Sequence, residues 1–175
     1  MSVLALPVSL QDHIQGAEAA SVTLVEYGDY QCPHCAEAHA MIREIQRQLG
    51  NSLRYVFRHF PWPDHPQSQQ AAEAAEAAGA QGKFWAMHDR LFAAQDALDD
   101  GSLVEYAVEL NLNVDRFLSE VTGDVHVPRI LEDINSGTAS GVCSTPALFV
   151  NEFRYCNTLD RDTLCVQIDR LMSAS

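Results

Sequence analysis

The pattern of apolar and polar positions in the first third of the chain predicts a strand, a helix and a second strand. Residues 21–27 are rich in valine and leucine and lead into Gly28, which favours a turn, as is typical of a strand. From residue 35 onward apolar positions recur at helical spacing until Gly50, a natural helix stop. Residues 53–60 are again apolar and aromatic, and the proline that follows cannot donate to a sheet. Together these segments predict a βαβ unit.

The middle of the chain has the apolar spacing of helices throughout. Pro128 fits only the first turn of a helix, because a later proline removes a backbone hydrogen bond, so the last helix of this region is predicted to start near Val127. We interpret the region as an inserted helical layer. Its periodic segments are an alanine-rich stretch up to residue 80, an aromatic stretch over 84–92, and further segments over 103–110, 115–121 and 130–134.

The end of the chain returns to strand character and closes with a helix. Residues 147–150 and 153–155 are predicted strands, joined at Asn151 and Glu152 by a two-residue hairpin turn in which glutamate is unusual. Residues 160–172 place their apolar side chains on one helical face. This order of elements predicts an α/β fold with no internal linker.

Composition and charge narrow the classes of function. A chain of 175 residues with 47% hydrophobic content is long enough to bury a good core and short enough to favour a single domain. The formal net charge of -13, with Lys83 as the only lysine, argues against a surface that binds nucleic acid or an anionic membrane.

The distribution of apolar residues also bears on where in the cell the protein resides. No apolar run approaches the roughly 20 residues that span a bilayer, so no membrane insertion is expected. Residues 1–16 show neither a basic region nor a long apolar stretch of the kind found in signal peptides, which favours a cytoplasmic protein. An exported protein from which the signal peptide has been removed would look the same, and this alternative stays open.

The tetrapeptide Cys32-Pro33-His34-Cys35 carries the clearest chemical signal. Two thiols at this spacing at the start of a helix suit redox exchange, because unpaired N–H groups and the helix dipole favour a thiolate on the first sulfur. Cys32 is thus the predicted nucleophile, and Cys35 would resolve the mixed disulfide. Pro33 fits an early helical position, and His34 is expected to bring its ring near the Cys32 sulfur. Stabilising the reduced form makes the disulfide a stronger oxidant, which favours disulfide donation.

A half zinc site is the alternative interpretation of the two motif cysteines, with His34 or His39 as additional ligands. A structural zinc site usually needs a second cluster of matching spacing, and the sequence contains no second CxxC or HxxxH. The strand before the motif and the helix after it favour redox chemistry, so no metal site is predicted.

The other cysteines and several histidines receive no site role. Cys143 precedes the late strand and is conceivable as a third redox partner, but a small, partly buried residue is the simpler interpretation. Cys156 and Cys165 are conceivable as a second disulfide, although free thiols fit a reducing compartment better. Packing and surface roles are expected for four histidines, namely His59, His65, His88 and His126.

The sequence resembles the DsbA-like family of the thioredoxin superfamily over nearly its whole length. The resemblance rests on residues 22–27 before the CPHC motif, on Thr145-Pro146 before the late strand, and on segments 71–75 and 82–88 in the helical region. Among these proteins the chain is especially like DsbA-type domains that occur alone or joined to bacterial sodium/proton antiporters. The resemblance implies a thioredoxin fold over residues 1–175: a central mixed β-sheet flanked by helices, with an all-helical insertion at about 65–137 between the βαβ unit and the C-terminal ββα unit.

The resemblance also implies roles for three residues outside the CPHC motif. Pro146 matches the family's cis-proline opposite the dithiol, and Thr145 would line the contact with an extended substrate segment. Glu26 matches the acidic residue beneath the second cysteine, where burial raises its pKa and allows proton exchange with Cys35. The chain departs from its relatives at Glu152 and Asn157, where glycine is frequent, which puts the hairpin geometry in doubt.

The sequence therefore predicts an enzyme, a thiol-disulfide oxidoreductase that acts on protein or peptide thiols and disulfides. It would use the redox-active pair Cys32 and Cys35 without a cofactor, and an unidentified redox partner would recycle it. One alternative is a glutathione-using transferase or isomerase on a related fold, although those relatives commonly have serine in place of the first cysteine. Another is a redox-sensing module that switches a partner surface without turnover. Substrates, oligomeric state and the direction of electron flow stay open.

Overall fold

The computed structural model describes residues 2–173, and the ends of the predicted domain, residues 1, 174 and 175, lie outside the described part. Five strands form one mixed sheet in the order β1-β3-β2-β4-β5. The pairing of β2 with β3 is parallel, and the other three pairings are antiparallel. The strands are β1 (His13–Gln15), β2 (Val22–Gly28), β3 (Leu53–His59), β4 (Ala147–Val150) and β5 (Phe153–Arg154).

Helices cover the sheet and also build the predicted insertion between β3 and β4. The helix α1 follows β2 and ends where Gly50 adopts a φ of 51°, which suits glycine. The thioredoxin fold with a helical insertion, expected from the sequence, is confirmed. The helices are α1 (Pro33–Leu49), α2 (Ser68–Gly79), α3 (Phe84–Ala93), α4 (Asp100–Glu109), α5 (Val114–Thr122), α6 (Val127–Ala139) and α7 (Arg161–Ser173). None of them, within residues 2–173, has the length and apolar content needed to cross a membrane.

The edges of the sheet differ from the sequence prediction. The strand β1 was not predicted, because it has only three residues and two of them, His13 and Gln15, are polar. At the other edge, the hairpin between β4 and β5 has a positive φ of 55° at Asn151. Glu152 is not among the described residues with positive φ, so glutamate fits this turn. Backbone and side chain of Asn151 are both hydrogen-bonded to the backbone of Thr23, which fixes the turn against β2.

The central strand β2 is buried on both faces, and this places an acidic residue in the core. Val22 and Leu24 face the larger core, which contains α1 and the insertion, whereas Val25 and Tyr27 face a smaller core on the other side. Because side chains alternate along a strand, Glu26 shares the face of Val22 and Leu24. Its side chain is therefore buried on the same side of the sheet as α1, whose N-terminal end carries the two motif cysteines.

Candidate active site

Cys32 stands at the N-terminus of α1, immediately before the first helical residue. Its backbone is extended, with φ -76° and ψ 120°, and its side chain is only 5% exposed. A hydrogen bond from the Cys35 thiol, with help from backbone N–H groups of α1, lowers the pKa of Cys32 from 9.0 to about 5 despite its burial. The N-terminal end of the helix also favours a negative charge at this point. Cys32 is therefore a thiolate at neutral pH.

Cys35 lies one turn further along α1 and is completely buried. Burial is the main reason that its pKa is raised far above 9.0, and the nearby negative charges of Cys32 and Glu26 act in the same direction. The Asp29 backbone N–H donates a hydrogen bond to the Cys35 sulfur at 3.4 Å. Both cysteines are free thiols in the structure, so this is the reduced state of the pair. The two sulfurs therefore differ sharply in acidity.

The two residues between the cysteines act through the backbone of α1. Pro33 occupies the first helical position, where its missing N–H is not needed. The His34 ring was expected near the Cys32 sulfur, but among the described residues it makes no hydrogen bond to that atom. It is exposed and lies 3.3 Å from the Glu37 carboxylate, because residues three apart are neighbours on a helix surface. His34 instead helps to stabilise the Cys32 thiolate through its backbone N–H.

The loop before β4 faces the dithiol. The peptide bond between Thr145 and Pro146 is cis. The Cys32 sulfur lies 3.5 Å from the Thr145 carbonyl oxygen, to which the protonated thiol donates a hydrogen bond. Both residues of the cis bond are half-buried, so the backbone next to the reactive sulfur is accessible to a ligand.

Glu26 lies beneath this pair, in the core. Its side chain is completely buried, Tyr55 donates a hydrogen bond of 2.6 Å to Oε2, and Oε1 has no hydrogen-bond partner among the described residues. Burial raises the pKa of Glu26 from 4.5 to about 7; the Tyr55 hydrogen bond opposes this shift and the Cys32 thiolate adds to it. Glu26 is thus a buried carboxyl group that titrates near neutral pH.

Asp29 organises the loop that carries the cysteines, and the sequence indicated only a turn here. Its fully buried carboxylate accepts four hydrogen bonds, which connect this loop with the segment that follows β3 and with the start of α2. The donors are the backbone N–H groups of Gln31 and Trp62, the His65 ring and the Ser68 hydroxyl. His65, predicted to have a packing or surface role, therefore supports the site.

Gln95 provides a second contact that the sequence did not reveal. Its side-chain amide donates hydrogen bonds of 2.8 Å to the carbonyl oxygens of both Tyr30 and Cys32. Gln95 follows α3, so the helical insertion holds the backbone on both sides of Gln31 in place. No spacing or composition signal marks this glutamine, since the contact depends on how the insertion folds back.

Substitution of Asp29 by alanine is expected to lower the free energy of unfolding by about 3 kcal/mol or more, because it leaves several buried donors without an acceptor. Chemical denaturation followed by circular dichroism measures this change. The matched control is Asp64→Ala, an exposed carboxylate between Trp62 and His65, which we expect to change stability by less than about 0.5 kcal/mol. Equal effects of the two substitutions would contradict the role given to Asp29.

The remaining cysteines and histidines lie outside the dithiol site. Cys143 and Cys156 are exposed, Cys165 is half-buried, and all three are free thiols. The His39 ring is directed to Asp89 on α3, at 3.3 Å, and not to the motif cysteines. The other histidines bind side chains elsewhere: His59 contacts Glu76, His88 contacts Tyr30 and His126 contacts Glu120.

A model of the family described as Thioredoxin matches residues 9–170, nearly the whole chain. The chain belongs to the thioredoxin family, and its fold is DsbA-like. Solved structures with this fold superimpose closely on the chain. BdbD from Bacillus subtilis has a TM-score of 0.86 at 22% identity and 98% coverage of both chains. For alpha-DsbA1 from Wolbachia pipientis the TM-score is 0.85 at 20% identity, over 97% of this chain and 94% of that one. At such identities the likeness establishes the fold.

Sequence relatives of the chain include much longer proteins. The Na(+)/H(+) antiporter NhaA 1 of Salinispora arenicola is 43% identical over 159 residues, which cover 90% of this chain and 24% of the antiporter. The chain thus spans about a quarter of the length of this relative. The transport activity in that name belongs to the whole antiporter.

The similar structures include a periplasmic protein, and the family match bears on the chemistry of the chain. One of them, from Salmonella enterica serovar Typhimurium, is described as a periplasmic thioredoxin-like protein; its TM-score is 0.77 at 19% identity, over 97% of this chain and 94% of that one. The predicted cytoplasmic location finds no support in the comparisons. Family membership together with the Cys32 and Cys35 pair supports thiol-disulfide exchange as the general chemistry.

Proposed function

We propose that the chain is an enzyme that exchanges a dithiol and a disulfide with protein or peptide substrates. Cys32 is the attacking sulfur and Cys35 the resolving sulfur. The observation that carries this assignment is the opposite shift of the two pKa values: that of Cys32 is lowered to about 5, whereas that of Cys35 is raised far above 9.0. Only the thiolate is a nucleophile, so Cys32 is the sulfur that reacts first.

The reaction in the donating direction starts from the Cys32–Cys35 disulfide. A substrate thiolate attacks the Cys32 sulfur, a mixed disulfide forms, and Cys35 leaves as a thiolate that takes up a proton. A second substrate thiolate then attacks the substrate sulfur of the mixed disulfide, which completes the substrate disulfide and releases Cys32 as a thiolate. Two electrons pass from the substrate to the chain. Since a sulfur of low pKa leaves faster, the acidity of Cys32 promotes this second step.

Glu26 supports the proton transfers of Cys35 in this proposal. Its pKa of about 7 lets it hold or release a proton near neutral pH, and its charge influences that of Cys35. The Tyr55 hydrogen bond fixes Oε2, which leaves Oε1 as the oxygen for the exchange. Glu26 thus provides a proton acceptor in a part of the core where Cys35 is shielded from solvent.

The backbone at Thr145 and Pro146 is the proposed contact for the substrate. Its position next to the Cys32 sulfur suits pairing with an extended peptide segment, as in other cases where a strand is added to a sheet. Reoxidation requires a redox partner that is itself a disulfide or another thiol oxidant, and the exchange uses the two sulfurs without a cofactor. Donation suits an oxidising compartment, where disulfides persist, in agreement with the exported alternative.

The proposal predicts a strongly oxidising Cys32–Cys35 pair. Equilibration with a series of glutathione buffers should give a reduction potential markedly higher than that of thioredoxin, because the thiolate stabilises the reduced form. The ultraviolet absorbance of the thiolate should titrate with a midpoint near pH 5. The pKa of Cys32 is lower in the folded chain than in the unfolded one. The thiolate's stabilisation of the reduced, folded protein is therefore complete above pH 9.0 and is lost as the pH falls through about 5. A potential near that of thioredoxin would overturn the donating direction.

A further inference from the structure

Two groups of potential metal ligands occur in residues 2–173, and they differ in how their atoms are bonded. The first contains His13, His59 and Glu76. Both imidazole Nε2 atoms are hydrogen-bonded to the same Glu76 oxygen, at 2.7 and 2.8 Å. These atoms satisfy one another and hold β1 and β3 against α2. This first group is therefore explained as a structural clamp.

The second group, His39, His88 and Asp89, joins α1 to α3, and two of its potential ligand atoms have no hydrogen-bond partner among the described residues. One ligand atom from each residue lies within 4.8 Å of the others. His88 is completely buried and its Nε2 has no hydrogen-bond partner in the described chain, and the same holds for Asp89 Oδ1. His39 Nε2 approaches Asp89 Oδ1 at 3.3 Å. Buried polar atoms without partners are rare in proteins and call for an explanation.

We propose that His39, His88 and Asp89 form a binding site for a divalent transition metal ion of the zinc type. Two imidazole nitrogens and one carboxylate oxygen are a ligand set that zinc uses, with water as the fourth ligand. Tetrahedral coordination at zinc bond lengths places the ligand atoms about 3.3 Å apart. The separation between His39 and Asp89 already has this value.

The surroundings of the three residues suit ligation. His88 Nδ1 lies 3.0 Å from the Tyr30 hydroxyl, so Nε2 is the nitrogen available to an ion and Tyr30 can accept the other N–H. Such an outer partner is usual for histidine ligands. Burial is the main reason that the pKa values of both His39 and His88 are lowered, which keeps the rings neutral, as ligation requires.

The site is also open to an ion from solvent, and a neighbouring side chain orients its carboxylate. The side chains of His39 and Asp89 are 15% and 39% exposed, so an ion and its water can enter from solvent. Arg43 lies 3.3 Å from the second Asp89 oxygen, Oδ2, and orients the carboxylate so that Oδ1 faces the histidines. A bound ion would connect α1, which begins at the dithiol, to the helical insertion, and through Tyr30 it would reach the loop that carries Cys32.

Zinc binding to the full chain tests the proposal once competing thiols are removed. The Cys32–Cys35 pair is oxidised to its disulfide, the other three thiols are alkylated, and Zn²⁺ is titrated in competition with a chromogenic chelator. We expect one ion per chain and a loss of affinity of at least about 10-fold in His39→Gln and in Asp89→Asn. Cobalt in the same protein should show visible bands without the charge-transfer absorption of a thiolate ligand.

Two matched variants locate the ion. His13→Gln alters the first group and His126→Gln alters a histidine paired with Glu120, and both should bind zinc as the parent chain does. Circular dichroism of each variant checks that the fold is intact. Absence of binding at millimolar Zn²⁺, unchanged affinity in His39→Gln, or loss of binding in His13→Gln would each overturn the assignment to His39, His88 and Asp89.

Discussion

Replacement of Cys32 by serine is expected to reduce turnover, measured as insulin reduction or as oxidation of a dithiol peptide, to the level without protein. A serine hydroxyl neither ionises near neutral pH nor forms a disulfide, so the first step of the exchange is lost. Cys35→Ser should differ, because Cys32 is still present. It should form a mixed disulfide with the substrate that persists until a reductant is added, since the resolving sulfur is missing.

The exposed cysteine nearest in sequence to Pro146 provides the control for this pair of variants. Cys143→Ser removes a free, exposed thiol and should leave turnover unchanged. Circular dichroism should show the same helical content in all three variants. Turnover that survives in Cys32→Ser, or that disappears in Cys143→Ser, would refute the assignment of Cys32 as the nucleophile. Turnover by the parent chain also distinguishes the proposed enzyme from the redox-sensing alternative, which predicts no turnover.

Features determined by a few neighbouring residues were predictable from the sequence. The proline at the first position of α1 and the glycine at its end place that helix within two residues of its observed bounds. A run rich in valine and leucine marks β2, a run of apolar and aromatic residues marks β3, and helical spacing marks the segments of the insertion. The DsbA-like fold followed from these elements together with the resemblance, and it is confirmed.

Contacts between distant parts of the chain were not predictable in this way. Asp29 resembled an ordinary turn residue, yet its carboxylate binds Trp62 and His65, which lie 33 and 36 positions away. Gln95 reaches the Cys32 carbonyl from 63 positions away. Only the assembled fold brings such groups together.

The burial of Glu26 was only partly predictable, because alternation along a strand allows its side chain to lie on either face of β2. In the structure both faces of β2 are buried. Substitution by glutamine is expected to remove a pH-dependent loss of stability. The pKa of Glu26 rises from 4.5 in the unfolded chain to about 7 in the folded one, which corresponds to about 3 kcal/mol. Denaturant unfolding of the reduced protein at about pH 4 and about pH 8 measures this change in the free energy of unfolding.

The sign of this effect follows from where the proton is held. The folded chain keeps the Glu26 proton up to about pH 7, whereas the unfolded chain releases it near 4.5, so the stabilisation is complete below 4.5 and lost as the pH rises through 7. Relative to wild type, Glu26→Gln should therefore be more stable at the higher pH than at the lower one by about 3 kcal/mol. Any constant cost of the buried amide cancels in this comparison, as does the contribution of Cys32. Glu18→Gln, at an exposed site, should show no such difference between the two pH values. If Glu26→Gln also changed stability by the same amount at both pH values, Glu26 would not be a buried titrating group.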